Sequence, residues 1–327
     1  MTAATEATAA TEALRALPAA VPALHHRPRG RRAAGAAAAA ALLAVTVVWG
    51  SSFVIVKDAV TRLPSADYLG VRFAVAAAGL FLLAPRAVGR LSRAAVLQGV
   101  ALGAVYGLAQ LVQAWGLERT SASVAGFVTS MYVVLTPIFG AIVLRHRIGR
   151  AVWGAALVAT AGLAVLSLQG FSIGPGVALT LTSAALYAVH ILGLGTWANG
   201  RDVVGLAFVQ LITVALVCLA FAVPGGIALP ATAGDWVGLL YLALVAGALA
   251  MIAQTWAQAH LPPARAAVLM TLEPAWAGVF AVTFGGEGLT WRLLVGGGLV
   301  LAALYLAEFR ASAALTPIED FPDLAAA

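Results

Sequence analysis

The sequence predicts an all-α membrane protein whose ten transmembrane helices form two inverted repeats of five. Of its 327 residues, 62% are hydrophobic and only 10% are charged, and the mean hydropathy is +0.98. The second half of the chain also repeats the pattern of the first half about 141 residues later. A soluble core of this size could not bury so much apolar surface, so a polytopic membrane protein is expected.

The first apolar stretch carries no charge from Ala33 to Val56, which is long enough to cross a bilayer. No convincing cleavage site follows it, so we interpret it as a helix that is retained, not as a signal peptide. The tails, residues 1–33 and 309–327, are expected to be disordered. The nine further predicted spans are Ala66–Ala84, Ala94–Leu117, Ala122–Leu144, Ala151–Leu168, Gly174–Ala198, Val203–Val223, Trp236–Ala259, Ala264–Phe284 and Trp291–Glu308.

Each half of the chain carries the same series of landmarks. The matched positions are Gln113 and Gln254, Trp115 and Trp256, Tyr132 and Glu273, and His146 and Glu287. The first repeat covers residues 34–168 and the second covers 174–308, with five spans each. Because five is odd, the two copies lie upside-down relative to each other in the membrane. Inverted repeats of this kind are typical of secondary transporters, whose substrate site lies near the bilayer midplane between the copies.

The charged residues indicate orientation and exclude several functions. Most arginines fall in segments that share one side of the membrane if the N-terminus is cytoplasmic, so both termini are expected in the cytoplasm, with the protein in the cell membrane. The net charge of +6 is explained by these clusters and does not indicate a nucleic-acid partner. Lys57 is the only lysine, which excludes a Gly-Lys-Ser/Thr phosphate loop, and the single cysteine, Cys218, excludes a disulfide.

Several short motifs recur in the order and spacing of a known family. They are Trp49-Gly50-Ser51-Ser52-Phe53, Arg72-Phe73, Thr120-Ser121-Ala122-Ser123, Gly126-Phe127-Val128-Thr129 with Tyr132, Ala266-Ala267, Leu272-Glu273-Pro274 and Gly286-Glu287. In these motifs the chain resembles the EamA family of the drug/metabolite transporter superfamily over residues 41–308. The resemblance implies ten helices in two EamA repeats, and export or uptake of small metabolites across the inner membrane. It also implies that helices 1, 3, 4, 6, 8 and 9 surround a central cavity, with helices 5 and 10 behind it.

The first copy departs from the family pattern at Arg145-His146-Arg147, where Gly-Glu-Arg is more usual. The two equivalent positions, His146 and Glu287, therefore differ in charge and chemistry. Small residues at Ala151, Ala155 and Ala159, and at 296–298, fit either internal packing or a dimer interface.

Polar residues at helical spacing give the candidate site. The third span places Gly99, Gly103, Tyr106, Gln110 and Gln113 on one face, and the eighth, fourth and sixth spans carry similar stripes. Such groups need partners inside a bilayer, which either a water-filled cavity or neighbouring helices can provide. The candidate cavity residues are Trp49, Ser52, Tyr106, Gln110, Gln113, Thr129, Tyr132, Tyr187, His190, Gln254, Gln258 and Glu273.

Alternatives stay open for several of these residues. His190 either binds substrate or a proton, or is a neutral histidine bonded within the bundle. Tryptophans such as Trp49 either line the site or anchor the helices at the interface. Pro137 is expected to interrupt the fourth span above Val133. Arg72 is expected to reach the headgroups or to pair with Asp58 or Glu118.

Glu273 and His190 are the candidates for proton coupling. Glu273 is expected about nine residues into the ninth span, near the midplane, where it either hydrogen-bonds the Met270 carbonyl that Pro274 frees or carries a proton. The expected function is export of small organic metabolites or drugs by alternating access. The alternatives are a non-transporting scaffold or sensor and, least favoured, an intramembrane enzyme, for which no catalytic motif is found. No cofactor or metal is expected; the expected partners are a small-molecule substrate, the bilayer, a proton and a second copy of the chain.

Overall fold

Helices dominate the computed structural model, which describes residues 29–86, 91–144, 150–169, 172–197, 203–222, 225–250, 253–254, 256–257, 261 and 269–314. The contacts group residues Gly35–Ala327 into one unit and Met1–Ala34 into another. Most residues of the two predicted tails lie outside the described residues. The first helix nevertheless begins within the N-terminal tail, at Arg29, and the last helix extends into the C-terminal tail, to Ala314.

Ten helices account for nearly all of the described residues. They are α1 (Arg29–Ala59), α2 (Ser65–Leu83), α3 (Arg93–Glu118), α4 in two segments (Ala122–Thr129 and Tyr132–Leu144), α5 (Arg150–Ser167), α6 (Pro175–Trp197), α7 (Val203–Ala222), α8 (Ala233–Leu240, continuing as a π-helix over Tyr241–Leu249), α9 (Glu273–Thr283) and α10 (Trp291–Ala314). Two antiparallel strands of two residues, β1 (Leu168–Gln169) and β2 (Ser172–Ile173), join α5 to α6. The predicted all-α class is confirmed.

The helices are apolar enough to cross a bilayer. Six of them have the length and composition of a complete span, and α5, α8 and α10 each contain a shorter apolar stretch. Large apolar side chains face outward on many helices, among them Leu82, Leu157 and Phe284, each more than two-thirds exposed. Water is a poor solvent for such a surface, whereas lipid tails match it.

Small residues set the packing of α5 against α10. Ala155 and Ala159 are buried, and a Cβ atom added to Gly296 would lie 2.8 Å from the carbonyl oxygen of Gly162. Only a glycine at this position allows the two backbones to approach so closely. Ala155, Ala159 and Gly296 therefore serve packing within the chain.

The helix α4 is interrupted at Ser130 and Met131. The amide of Met131 bonds to the Val128 carbonyl and that of Val133 to the Ser130 carbonyl, so the turn tightens to bonds between residues three apart. Pro137 lies inside the second segment, where it has no N–H to donate to the Val133 carbonyl, and the interruption itself falls at Ser130 and Met131.

The chain before α9 has a matching turn at Thr271 and Leu272. The Leu272 amide bonds to the Leu269 carbonyl, again three residues back. These positions are the repeat equivalents of the interruption in α4, and α9 then begins at Glu273 as the second segment of α4 begins at Tyr132. Glu273 is thus the first residue of a helix segment that follows a turn. Most of the predicted ninth span before it, residues 264–268, lies outside the described residues.

Candidate functional site

A hydrogen-bonded amide joins three helices near the interruption in α4. The Gln113 side chain of α3 donates through Nε2 to the Thr129 hydroxyl at 2.9 Å, and it accepts from the Tyr187 hydroxyl of α6 at 3.0 Å. Both halves of the amide are therefore satisfied by other candidate residues. The arrangement holds Thr129, the last residue of the first α4 segment, in place.

Aromatic rings from α3, α4 and α6 form a cluster next to this amide. The Tyr106 ring lies 4.9 Å from the His190 ring, nearly parallel to it, and 5.7 Å from the Tyr187 ring. The Tyr132 ring meets the Tyr187 ring edge-on at 6.5 Å. Four candidate residues that are far apart in the sequence thus form one surface, which we call the aromatic cluster (Tyr106, Tyr132, Tyr187 and His190). Flat, apolar faces with polar edges are suited to an organic ligand.

Two residues that contact the cluster were not among the candidates. The Gln210 side chain of α7 hydrogen-bonds His190 Nε2 at 2.8 Å, and the Phe73 ring of α2 lies 6.1 Å from the Tyr106 ring. Gln210 is a single amide side chain within an apolar span, and this isolation in the sequence could have marked it as a candidate residue. The hydrogen bond matches the interpretation of His190 as a histidine bonded within the bundle.

Glu273 begins α9 close to the aromatic cluster. Its side chain is half-buried and lies within electrostatic range of the Tyr106 and Tyr187 hydroxyls. Within the described ranges it makes no hydrogen bond or ion pair, so the predicted bond to the Met270 carbonyl is not formed. A carboxyl group that no described residue binds, at a helix interruption, is available to a ligand or a proton.

The remaining candidates are arranged differently. Gln254 donates to the sulfur of Met270 at 3.6 Å, and Gln258 lies outside the described residues. Trp49 donates its indole N–H to the Ala246 carbonyl in the π-helical part of α8, and Ser52 donates to the Trp49 carbonyl. The polar groups of Gln254, Trp49 and Ser52 are therefore hydrogen-bonded within the bundle.

The stripe on α3 divides into two parts. Gln110 is buried, with 9% of its surface exposed, and lies beside Tyr106 on the same helix. A Cβ atom added to Gly103 would lie 2.7 Å from Thr213 and one on Gly99 would lie 2.8 Å from Val209, both in α7. The glycines therefore pack α3 against α7, and only the larger residues of the stripe reach the aromatic cluster.

At one end of the bundle, a carboxylate from the second repeat caps a helix of the first. Glu287, which follows α9, accepts from the Ala122 amide at 2.6 Å and from the Ser123 hydroxyl at the start of α4. A negative charge at a helix N-terminus is favourable because it meets unsatisfied N–H groups. We call this end of the bundle the Glu287 end. The repeat equivalent of Glu287, His146, lies outside the described residues.

The same end is closed by direct packing between α1, α4 and α9. A Cβ atom added to Gly126 of α4 would lie 2.5 Å from the Ala277 Cβ of α9, and one on Gly50 of α1 would collide with Trp276 of α9. Ala277 itself is fully buried. The first segment of α4 and the helix α9 thus lie in contact between the aromatic cluster and the Glu287 end.

Comparison with known proteins agrees with this architecture. The model of the EamA-like transporter family matches residues 36–168 and again residues 174–309. The chain belongs to the EamA-like transporter family. An uncharacterized transporter from Archaeoglobus fulgidus is 30% identical over 267 residues, which cover 81% of this chain and 84% of that protein. A solved crystal structure of a protein superposes with a TM-score of 0.61 at 16% identity, covering 85% of this chain and 99% of the other.

Membership in the family makes this chain a multi-pass membrane transporter of the drug/metabolite type. In this EamA-like transporter, a separate cavity of about 570 Å³ opens at the Glu287 end between α2, α3, α6 and α7. Its lining includes Asp67, Trp115, Glu118 and Phe221. None of the twelve candidate residues is among the described residues that line it, so the cavity is distinct from the aromatic cluster.

Arg72 of the EamA-like transporter does not form the predicted ion pairs. Asp58 is bound by Arg62 at 2.6 Å, and Glu118 is bound by Arg119 at 2.8 Å and by the Ser65 hydroxyl at 2.5 Å. Arg72 is instead buried, with its guanidinium 5.0 Å from the centre of the Phe73 ring.

Proposed function

We propose that this EamA-like transporter is a secondary transporter that exports small organic metabolites or drugs by alternating access. The observation that carries the proposal is the pair of interrupted helices at equivalent positions in the two repeats, after Met131 and after Leu272. Secondary transporters place substrate and coupling-ion sites at such interruptions, near the midplane, because the broken turns expose backbone groups to a cavity.

The side chains at the interruptions suit an organic substrate. Tyr132 begins one segment and Glu273 begins the other. The aromatic cluster supplies an apolar wall, and Gln113 fixes Tyr187 within it. A few placed polar groups on a mainly apolar surface are typical of small-molecule sites.

The contact at the Glu287 end supports alternating access. The first segment of α4 belongs to the first repeat and α9 to the second, and among the described residues they meet between the interruptions and the Glu287 end. If that contact opens while the equivalent contact at the opposite end forms, the site changes the side on which it is accessible. With the proposed orientation, the Glu287 end faces outward.

Glu273 is the better candidate for proton coupling. Its carboxyl group has no hydrogen-bond partner within the described ranges, whereas His190 is bonded to Gln210. A group that binds and releases a proton needs access to both substrate and solvent, which an unpaired side chain at an interruption can have.

The orientation is proposed as cytoplasmic at both termini, in the cell membrane. Reporter fusions after Arg90, Arg201 and Arg310 should report the cytoplasm, and fusions after Thr61 and Gln169 the outer face. Two or more reversed loops would overturn the ten-span inverted arrangement.

A metabolite-accumulation screen tests the function itself. Strains that lack or overproduce the protein should differ in the extracellular level of a small set of compounds, and a strain producing Glu273→Gln should resemble the deletion strain for those compounds. Identical profiles in all strains would favour the scaffold or sensor alternative.

A further inference from the structure

One charged side chain inside the bundle is not used by the site described above. Arg72 of α2 is only 9% exposed, yet it makes no hydrogen bond or ion pair with any described residue. Its guanidinium lies over the neighbouring Phe73 ring, 5.0 Å from the ring centre. Unpaired cations within a bilayer are costly, and those that persist typically mark the path or site of a ligand.

Tyr68 adds a second donor on the same face of α2. It lies one helical turn before Arg72, so the two side chains are neighbours. Tyr68 is 1% exposed, and its hydroxyl has no partner in the described part of the chain; the same is true of Arg72 Nε. The two terminal nitrogens of Arg72 also make no hydrogen bond, but they are not fully enclosed, so they border accessible space. Two adjacent donor groups therefore lack an acceptor.

These donors lie at the edge of the aromatic cluster. The Phe73 ring beneath the guanidinium contacts the Tyr106 ring at 6.1 Å, and the Tyr106 ring contacts that of Tyr187 at 5.7 Å. The charge of Arg72 is within electrostatic range of both tyrosine hydroxyls. An apolar surface thus runs continuously from the unpaired donors to the centre of the proposed site.

We propose that Arg72 and Tyr68 form an oxyanion subsite of the transport cavity, which binds the carboxylate of an aromatic or other apolar organic acid. This proposal rests on the proposed transport function. A guanidinium presents two parallel N–H groups that match the two oxygens of a carboxylate, and the Tyr68 hydroxyl supplies a third donor. The rings of Phe73 and Tyr106 then accept the apolar body of the ligand.

A purely structural role predicts different behaviour. An arginine that holds helices together forms hydrogen bonds to them, and its loss destabilises the bundle. Burying an unpaired guanidinium instead destabilises the free protein, and binding sites retain such a group because the ligand pairs with it. Its replacement should therefore leave the thermal stability of the free protein unchanged or raise it.

The test measures thermal unfolding of the purified full-length protein in detergent with benzoate or with its neutral isostere benzamide. We expect benzoate, and not benzamide, to raise the unfolding temperature of the wild type. Arg72→Gln and Arg72→Met should abolish this increase, Arg72→Lys should retain part of it, and Tyr68→Phe should reduce it. None of these variants should lower the unfolding temperature without ligand.

Arg292→Gln and Tyr305→Phe are the controls, because Arg292 also lies over a neighbouring ring, that of Trp291, and both residues are exposed on α10. They should keep the full benzoate effect. Three results would overturn the subsite: no benzoate effect in the wild type, an equal effect of benzamide, or an undiminished effect in Arg72→Gln. If Arg72→Met fails to fold, the benzoate effects measured for Arg72→Lys and Tyr68→Phe still test the subsite. Because binding is measured without transport, a failure of the transport function would appear separately, as wild-type benzoate binding with no strain differences in the accumulation screen.

Discussion

The two helix interruptions have the same backbone plan and different chemistry. In the first repeat the segment after the interruption begins with Tyr132, whose ring packs against Tyr187. In the second repeat it begins with Glu273, whose carboxyl group has no hydrogen bond within the described ranges. A side-chain contact just before each interruption is also repeated. Gln113 hydrogen-bonds Thr129 in the first repeat, and Gln254 hydrogen-bonds Met270 at the equivalent positions of the second.

The difference indicates a division of labour between the repeats. The first interruption is held by neutral hydrogen bonds and ring contacts, which fix the wall of the site. The second carries an ionisable group, and the glutamine beside it bonds a sulfur atom, which is a weak acceptor. The two copies therefore share the backbone geometry of the interruption, while only the second places a carboxyl group there.

The largest expected effect is the loss of transport driven by a pH gradient in Glu273→Gln, compared with Tyr132→Phe. Glutamine keeps hydrogen bonding but cannot titrate, so accumulation driven by a pH gradient should fall to background while facilitated exchange continues. Tyr132→Phe should change transport by no more than about fivefold, the effect of one hydrogen bond of ~1 kcal/mol. Proteoliposomes loaded with the substrate from the screen would measure both. If gradient-driven transport survives Glu273→Gln, His190 becomes the coupling candidate.

Enlarging Gly126 tests whether the two interrupted helices must meet. A valine there would collide with Ala277, so Gly126→Val should destabilise the protein by ~1–3 kcal/mol. Gly154→Ala is the control, because a Cβ atom at Gly154 has no neighbour within 4 Å, and it should be neutral or slightly stabilising. Thermal unfolding in detergent measures both, and equal stability of the two variants would contradict the close contact.

The two equivalent glutamines should differ in importance. Gln113→Leu leaves the Thr129 and Tyr187 hydroxyls without their partner and should cost ~1–3 kcal/mol of folding or substrate-binding free energy. Gln254→Leu loses the sulfur contact and should cost under ~1 kcal/mol. Unfolding temperatures and transport rates at normal membrane levels report the difference. A larger loss for Gln254→Leu would reverse the proposed division of labour.

The smallest effect concerns the cap at the Glu287 end. Glu287→Ala should cost ~1 kcal/mol, as the loss of a helix cap does. Combined with Ser123→Ala it should cost less than the sum of the two single changes, because both remove the same contact. The reverse change in the other repeat, His146→Glu, should gain nothing, since Pro263 at the position equivalent to Ala122 has no N–H to donate. Additive costs in the double variant would show that the contact contributes little.

The sequence predicted several particular residues of the site as well as the fold. Tyr106, Tyr187 and His190 were chosen from helical spacing, and their rings lie in contact. Helical spacing did not predict where the helices are interrupted. Ser130 and Met131 carry no local signal of an interruption, whereas Pro137, which lies inside a helix segment, carries a strong one. Spacing also gave no reason to connect Phe73 or Gln210 with the cluster, because both belong to spans whose neighbours were unknown.

The sequence by itself determined the class of the protein, the number of spans and the duplication. Those features depend on the length of apolar stretches and on repeated spacing, which are properties of the chain read in order. Only the tertiary structure decided which polar groups are satisfied. A helical period shows which residues share a face, but not which helix that face meets. Arg72 illustrates this limit: its residue type suggested an ion pair, and the packed bundle placed Asp58 and Glu118 with other partners instead.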